Sequence, residues 1–359
     1  MSAKPVRALE FYSGIGGLNL ALRRSLADGH VVQAFDWDQA ACQVYRKNHG
    51  PTLSKVDIST LKASDISSFR ADLWLLSPSC QPYTVLNTSP QDSADPRAKS
   101  FLHLMQNVLP DLVSTEQHPT HLLMENVGGF ETSSTRQLLL RTLASLGYTT
   151  FELLLNPLQF SIPNSRLRYY LLAKKDPLKF PSAVEGRVWR HIPGKGKDWV
   201  DLRSLEQSEG VESLSHYLDE DGADDVPIPD RVLQKWGRLF DIVSPSSRRS
   251  CCFTRGYTQL VERSGSILQM NEALNEDGEG QAVRLLDPLH LRYFTPSELL
   301  RLFHFDISRY NSDSEIFVWP EGISTKTKYR LIGNSVNVQV VEELINFLYD
   351  FPERLYLHN

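Results

Sequence analysis

The sequence has few cysteines and no long apolar run, and each of these absences excludes a class of protein. Its 359 residues include four cysteines, at positions 42, 80, 251 and 252. Because no two of them form a C-x-x-C pair, a zinc site is not expected, and no metal is predicted. No stretch of about 18 consecutive apolar residues occurs, so we expect no membrane-spanning helix. The N-terminus lacks the charged-then-apolar layout of a secretory signal, and we therefore expect an intracellular protein.

The sequence also lacks the excess of basic residues that is typical of proteins which bind nucleic acids non-specifically. Its formal net charge is −5 at pH 7. The stretch from Glu206 to Asp230 is a strongly acidic patch, while basic residues cluster within 187–197 and 248–263. We therefore expect any recognition of nucleic acid to depend on a shaped site rather than on a broad positive field.

The first 175 residues alternate apolar runs of strand length with segments of helical periodicity. Strands are predicted over Val6 to Tyr12, Val31 to Phe35, Ala71 to Leu76, His121 to Met124, Phe151 to Leu155 and Arg168 to Ala173. Helices are predicted over Gly17 to Ala27, Gln39 to Asn48, Ala98 to Leu112 and Thr135 to Leu146. This alternation predicts an α/β fold of the Rossmann-like, doubly wound type, with a mostly parallel sheet.

Beyond about residue 180 the alternation is lost, and Gly, Pro, Ser and acidic residues accumulate. We predict a catalytic domain over residues 1–180, a smaller irregular domain over 181–287, and a C-terminal segment over 288–359 that returns to the first domain. Within that segment, Thr295-Pro296-Ser297-Glu298 is a helix start with proline in the first turn. A final helix is predicted over Val340 to Tyr349.

A glycine-rich turn, Tyr12-Ser13-Gly14-Ile15-Gly16-Gly17, follows the first predicted strand. Glycines let the chain turn sharply and let a ligand approach the backbone, and the helix N-terminus beyond can bind an anionic group. Asp36-Trp37 follows the second strand, where an acid can bind ribose hydroxyls and an indole can stack on adenine. Asp57-Ile58 could reach the adenine edge. Asn19 stands where a dinucleotide fingerprint has its third glycine, so the pattern favours a smaller adenosyl ligand over NAD.

A cysteine and a glutamate follow two predicted buried strands of the same sheet. Cys80 lies in the proline-braced loop Ser77-Pro78-Ser79-Cys80-Gln81-Pro82, after the strand that ends at Leu76. Glu125 follows the strand that begins at His121. Ligands of open α/β sheets bind outside the carboxyl ends of the strands, so we expect the thiol and the acid at one edge. The alternatives are a buried structural thiol and a helix-capping acid.

Two arginines, Arg166 and Arg168, lie two residues apart in a strand-like stretch. Because side chains alternate along a strand, we expect both to project to one face. There they could hold a carbonyl oxygen or a phosphate, or they could form a solvated basic edge.

With these segments assembled, the chain resembles the cytosine-5 methyltransferases over nearly its whole length and in the family's motif order. The matching segments are Tyr12-Ser13-Gly14-Ile15-Gly16-Gly17, Asp36-Trp37, Asp57-Ile58, Pro78-Ser79-Cys80-Gln81, Glu125-Asn126-Val127, Arg166-Leu167-Arg168 and Gly333-Asn334-Ser335-Val336. The segment Cys252-Phe253-Thr254-Arg255-Gly256-Tyr257 is similar to the hallmark of one branch. That branch comprises eukaryotic DNA-methyltransferase homologues that methylate the anticodon loop of aspartate tRNA.

The resemblance implies a class I methyltransferase that transfers a methyl group from S-adenosyl-L-methionine to C5 of a tRNA cytosine, through a covalent adduct with Cys80. The implied catalytic residues are Cys80, Glu125, Arg166 and Arg168. The implied cofactor-binding residues are Tyr12, Ile15, Gly16, Gly17, Asp36, Trp37, Asp57, Ile58, Ser77, Asn334 and Ser335. The implied substrate-binding residues are Gln81, Asn126, Cys252, Phe253, Thr254 and Arg255. We further expect a monomer of the nucleus and cytoplasm, with aspartate tRNA as its partner.

The chain departs from the family pattern at two positions. Ser79 replaces the proline that usually precedes the nucleophile, and Asn164 is the residue nearest to the place of the glutamine before the arginine pair. A DNA cytosine-5 methyltransferase is one alternative, because its chemistry is identical. A homologue that binds nucleic acid but turns over weakly is the other, motivated by Ser79. An NAD-dependent dehydrogenase is disfavoured by Asn19.

Overall fold

The computed structural model describes most of the chain and divides it into two units. The described residues are 4–80, 95–181, 186–196, 198–201, 210–220, 226–259, 264–271, 289–309, 311 and 315–350. Contacts between Cα atoms assign Met1–Leu155, Leu167–Asp198 and Val338–Asn359 to the first unit, and Asn156–Arg166 with Trp199–Asn337 to the second. Units of this kind are defined by contacts rather than by activity, so the predicted domain boundaries stay a prediction.

The described residues form eleven strands and ten α-helices. The strands are β1 (Val6–Phe11), β2 (Gly29–Asp36), β3 (Leu53–Lys55), β4 (Leu73–Leu76), β5 (His121–Val127), β6 (Tyr148–Leu155), β7 (Arg168–Lys175), β8 (Val188–Trp189), β9 (Ile242–Val243), β10 (Ile267–Gln269) and β11 (Leu291–Arg292). The helices are α1 (Gly17–Arg24), α2 (Gln39–His49), α3 (Ala63–Ser67), α4 (Lys99–His103), α5 (Leu109–Ser114), α6 (Ser134–Ser145), α7 (Asp230–Trp236), α8 (Pro296–Leu302), α9 (Thr325–Gly333) and α10 (Val338–Leu348). None of these helices is both long and apolar enough to cross a membrane.

An eight-stranded sheet forms the centre of the first unit, in the order β3-β2-β1-β4-β5-β7-β6-β8. Strands β1 to β5 pair in parallel, whereas β7 runs antiparallel to both β5 and β6. Every residue of β4 is buried, as expected for a strand covered on both faces. The predicted doubly wound, mostly parallel α/β fold is confirmed, and the carboxyl ends of β1, β2, β4 and β5 lie at one edge.

Helices α2 and α6 of the first unit begin at residues whose side chains cap them. Asp38 accepts hydrogen bonds from the amides of Ala40 and Ala41 at the start of α2, and Ser133 accepts one from Arg136 at the start of α6. Helix α10 returns to the first unit, where the side chain of Asn346 accepts a hydrogen bond of 2.8 Å from the amide of Leu26. The C-terminal helix therefore completes the layer that contains α1.

Strand β5 is longer than the sequence predicted, because it continues through Glu125-Asn126-Val127. These residues pair with Tyr170, Tyr169 and Arg168 of the antiparallel neighbour β7. The expectation that the strand ends at Met124 is wrong, since β7 supplies hydrogen-bond partners beyond the apolar run. Glu125 therefore projects from the strand itself.

The second unit contains a small three-stranded sheet in the order β11-β10-β9, in which β10 is parallel to β9 and antiparallel to β11. A cluster of aromatic rings forms much of its core, with edge-to-face contacts of Tyr257 with Phe253, Tyr293 and Tyr329. The predicted helix at Pro296 is confirmed as α8, which begins with a capping box between Thr295 and Glu298.

Candidate active site

The glycine-rich turn lies at the carboxyl end of β1 and leads into α1. Gly14 and Gly16 have φ angles of 54° and 88°, values that L side chains rarely adopt. A Cβ atom at Gly16 would also overlap the ring of His49, whose Nε2 lies 3.1 Å from the Ile15 carbonyl oxygen. The turn therefore requires glycine both for its backbone angles and because the His49 ring lies directly against it.

A buried glutamate, which the sequence analysis missed, lies beneath this turn. Glu10 of β1 is fully buried and accepts hydrogen bonds from the Asn19 amide at 3.2 Å and from the Tyr45 hydroxyl at 2.8 Å. Burial raises the pKa of Glu10 to about 8. The side-chain amide of Asn19, as distinct from the backbone amide that donates to Glu10, donates to the Tyr45 oxygen at 2.7 Å. Asn19 occupies the position where a dinucleotide-binding motif has its third glycine. Through these two hydrogen bonds it links α1 to β1 and α2.

Asp36 ends β2 and binds the glycine-rich turn through its carboxylate. One oxygen accepts from the Gly14 amide at 2.7 Å, and the other accepts from the Asp38 amide at 2.7 Å. Burial raises the pKa of Asp36 despite these hydrogen bonds. The neighbouring Trp37 side chain is 70% exposed, which is unusual for an indole and leaves a ring face open to a ligand.

A pocket in the first unit brings together five of the predicted cofactor-binding residues. They line it with five further residues, so the full lining consists of Tyr12, Asp36, Trp37, Asp57, Ile58, Ser59, Ser79, Pro96, Lys99 and Ser100. Hydrogen bonds from Ser59 to Asp57 hold the pKa of that carboxyl below its usual range, so it presents a charged acceptor. An exposed indole and two carboxyl groups fit an adenosyl ligand.

The other predicted cofactor-binding residues are not among the described residues that line this pocket. Ile15 is buried, and Ser77 instead donates from its hydroxyl to the Tyr12 carbonyl at 2.9 Å. Gly16 and Gly17 form the turn itself. Asn334 and Ser335 lie in the second unit, where Asn334 is exposed and Ser335 is buried with its hydroxyl bonded to the Leu331 carbonyl.

The nucleophile loop leaves the carboxyl end of β4 and is bonded to the end of β5. The side-chain amide of Asn126 donates to the Pro78 carbonyl at 3.3 Å, two residues before Cys80. Cys80 is half-buried and is not part of a disulfide. Gln81, which was predicted to bind the substrate, lies outside the described residues. The loop bearing Cys80 and the strand bearing Glu125 are thus joined at one sheet edge, as the sequence predicted.

Glu125 is paired with Arg168 across neighbouring strands. The Nε of Arg168, the first residue of β7, lies 3.2 Å from Oε1 of Glu125. Both side chains are largely buried, so their interaction is screened little by solvent. The Arg168 guanidinium therefore holds the Glu125 carboxylate in a fixed orientation, next to the loop that contains Cys80.

Arg166 does not lie in the same strand as Arg168, and this expectation is corrected. Strand β7 begins at Arg168, and contacts place Arg166 in the second unit. Its guanidinium is buried and donates to the backbone carbonyls of Phe253, Gly333 and Ser335. Its donors are therefore directed at the protein's own backbone rather than at a ligand.

The residues of the Cys252-Phe253-Thr254-Arg255 segment differ in how exposed their side chains are. The Phe253 ring is completely buried against Tyr257 and Phe294. A ring in that position is part of the core, so the expectation that Phe253 touches the substrate is corrected. Cys252 and Thr254 are half-buried and Arg255 is exposed, so these three keep access to a ligand.

Comparisons with known proteins agree with this arrangement. The family model described as C-5 cytosine-specific DNA methylase matches residues 6–349. A tRNA (cytosine(38)-C(5))-methyltransferase of Schizosaccharomyces pombe is 40% identical over 350 residues, covering 97% of this chain and 98% of the relative. A DNA (cytosine-5)-methyltransferase of Dictyostelium discoideum is 34% identical over 96% of this chain and 94% of its own. The crystal structure of the S. pombe Dnmt2 methyltransferase is similar with a TM-score of 0.78 and 39% identity, covering 97% of this chain and 99% of that one.

Proposed function

This chain belongs to the C-5 cytosine-specific methylase family, within its Dnmt2 branch, and from that membership we propose that it methylates C5 of cytosine 38 in a tRNA. The main structural support for this proposal is that the Cys80 loop and the Glu125–Arg168 pair lie together at the carboxyl ends of β4 and β5. The full-length relative from S. pombe, whose name states this activity, supports the choice of substrate. Aspartate tRNA is the species that the sequence resemblance favours.

S-adenosyl-L-methionine is the cofactor of this family, and when bound it supplies the methyl group. The residues of the pocket fit it on the chemistry of their side chains. Trp37 offers a ring face for adenine, while Asp36 and Asp57 offer carboxylate acceptors for ribose hydroxyls and an adenine amino group. Gly14, whose amide donates to Asp36, leaves the backbone open beside that carboxylate.

Cys80 performs the step that activates the base. Cytosine C5 is a poor nucleophile, but addition of the Cys80 thiolate to C6 forms a covalent bond and makes C5 electron-rich. Glu125 holds the N3 and N4 edge of the base and exchanges a proton with N3, while Arg168 fixes the Glu125 carboxylate. After C5 has gained its methyl group, the C5 proton passes to water and its electron pair re-forms the C5–C6 double bond. Cys80 then leaves as the thiolate, and N3 returns its proton to Glu125.

A loop cytosine of tRNA suits this site because the base must leave its stack to reach a crevice at a sheet edge. Bases in an RNA loop are already partly unstacked, so extrusion costs less than from a duplex.

We propose also that the chain acts as a monomer and is found in both nucleus and cytoplasm. Fractionation of cells and the elution volume of the purified chain test these two proposals.

The decisive variant is Cys80→Ala. We expect it to abolish methyl transfer to tRNA, because it removes the thiolate that adds to C6, while affinity for S-adenosyl-L-methionine stays within about twofold of the parent chain, a difference below 0.5 kcal/mol. Transfer of radiolabelled methyl to purified tRNA measures the first result, and calorimetry measures the second. Cys42→Ala is the matched control, because Cys42 is a buried thiol of α2. Full activity in Cys80→Ala refutes the assigned nucleophile.

DNA is the second candidate substrate, and the Dictyostelium relative favours it by name. The same radiolabel assay with duplex DNA in place of tRNA separates the two. Bisulfite sequencing of tRNA from cells with and without the chain then identifies the tRNA and the position. Loss of methylation at cytosine 38 of aspartate tRNA is the expected result, and unchanged methylation there contradicts the proposal.

A further inference from the structure

The guanidinium of Arg166 bonds to two segments of the second unit that are far apart in sequence. Nη1 donates to the Phe253 carbonyl at 2.8 Å, while Nη2 donates to the carbonyls of Gly333 at 3.1 Å and Ser335 at 2.7 Å. The residue is only 3% exposed, and its Cζ lies 4.9 Å from the centre of the Phe303 ring. A buried cation with these partners stabilises a backbone arrangement.

The two segments approach each other so closely that no side chain fits between them. A Cβ atom at Gly333, the last residue of α9, would overlap the backbone of Thr254 and Arg255. Gly333 is therefore required by close packing of two backbones. Arg166 supplies the hydrogen bonds that join them.

The residues before Arg166 are bonded to the same region. The Ser165 amide donates to the Ser250 carbonyl at 2.8 Å, and the Asn164 side-chain amide donates to the Cys251 carbonyl at 3.0 Å. The backbone of Arg166 is thus placed by Ser250 and Cys251, and its guanidinium then reaches forward to Phe253 and across to α9. Asn164, which departs from the family pattern, contributes to this anchoring.

We propose that Arg166 is a positioning residue, which fixes the Cys252–Arg255 segment against the Asn334–Ser335 turn. This inference rests on the proposed function, because the resemblance assigns the first segment to the substrate and the second to the cofactor. One side chain then sets the geometry of both predicted binding segments. Arg168, two residues later, keeps the role of fixing the Glu125 carboxylate, with which it is paired.

An arginine suits this position better than a lysine. Its planar fork directs two nitrogens at carbonyls of separate segments, whereas a lysine presents one compact ammonium group. Loss of either set of bonds leaves buried carbonyl oxygens without a donor, which is costly in a site closed to water. Arg166→Lys keeps the charge and removes the fork, so it isolates the geometric role.

We expect Arg166→Lys to weaken the binding of S-adenosyl-L-methionine and of tRNA together, each by about tenfold or more, while kcat at saturation changes much less. Arg168→Lys should show the opposite split, with a large fall in kcat and small changes in both affinities. Equilibrium dissociation constants come from calorimetry for the cofactor and from filter binding for tRNA. If Arg166→Lys lowers kcat alone and leaves both affinities at parent values, the positioning role is overturned.

Two further variants strengthen the test. Gly333→Ala disturbs the same junction without touching Arg166, so it should weaken both affinities in the same way, and it decides the question should Arg166→Lys not fold. Arg141→Lys, on the exposed side of α6, is the matched control and should change neither affinity. Parent-like affinities in Gly333→Ala overturn the proposal.

Hydrogen exchange separates this inference from the proposed function. In Arg166→Lys we expect faster amide exchange in residues 250–256 and 331–337 together, and exchange unchanged in either segment contradicts a shared support. This readout needs no turnover. If the parent chain fails to methylate tRNA, the proposed function fails, while cofactor affinity and exchange still report on Arg166.

Discussion

Glu10 is the residue at which burial has the clearest measurable consequence. The pKa of this carboxyl rises from its usual 4.5 to about 8 because it is enclosed beneath the glycine-rich turn. Between these values the folded chain keeps a proton that the unfolded chain releases, so stability present below pH 4.5 is lost as pH rises through about 8. A glutamine at this position does not titrate, so the free energy of unfolding of Glu10→Gln should fall less as the pH rises.

Urea unfolding of the parent chain and of Glu10→Gln at pH 6 and pH 8.5 measures this difference. The parent chain should lose stability between the two pH values by more than the variant does, and Glu321→Gln, at an exposed position, should follow the parent curve. Parallel curves for the parent chain and Glu10→Gln would show that Glu10 does not titrate in this interval.

At single residues, the sequence predicted those side chains whose chemistry is visible in a local motif. Tyr12, Asp36, Trp37, Asp57 and Ile58 lie at or after strand ends and line one pocket, while their binding of the cofactor stays a prediction. Glu10 and His49 were not predicted, because their roles depend on what packs under the turn. A charged residue within an apolar strand was the available signal for Glu10, whereas no local pattern distinguishes the His49 ring from any helix-terminal histidine.

Helix α8 shows how an element's first turn contributes to the stability of the second unit. The Thr295 hydroxyl accepts from the Glu298 amide at 3.1 Å and donates to the Asp219 carboxylate at 2.6 Å. Thr295→Ala removes both bonds at a buried position and should lower the free energy of unfolding by roughly 2 kcal/mol. Chemical denaturation measures the change.

The control for this prediction is Thr325→Ala. Thr325 is the exposed first residue of α9, where the capping hydroxyl belongs to Ser324 instead. We expect that variant to differ from the parent chain by less than about 0.5 kcal/mol, as is usual at the surface. Equal losses in both variants would mean that the capping box of α8 contributes nothing specific.

At the scale of elements, periodicity predicted the longer strands and helices of the first unit but not their ends, and it missed the short elements β3, β8 and α3. Helix α8 was predicted from its capping signal because that signal is local. Strand β5 extends through Glu125 because β7 pairs with it. Arg166 lies outside β7, and its guanidinium bonds to partners that are 86 to 169 residues away in sequence. Such partners are set by tertiary contacts, which a single sequence does not display.

Across the whole molecule, the sequence predicted the sheet architecture, while the division into units depends on contacts distant in sequence. The short segment Asn156–Arg166 belongs to the second unit although first-unit segments flank it. Its bonds to Ser250 and Cys251 explain this assignment. Tertiary contacts, rather than the local composition of the sequence, therefore determine where the chain passes from one unit to the other.

The net charge of the whole chain bears on how it selects RNA. At −5, the chain carries no overall attraction for a polyanion, so affinity for tRNA must come from the shape of its binding segments. Non-specific duplex DNA in roughly tenfold phosphate excess should therefore lower the initial rate of tRNA methylation less than about twofold at physiological salt. A tRNA with uridine in place of cytosine 38 has the same charge and shape without the reacting base, and it should compete strongly. Initial rates of radiolabel transfer measure both effects, and inhibition that depends only on the number of phosphates added would show that charge, rather than shape, selects the substrate.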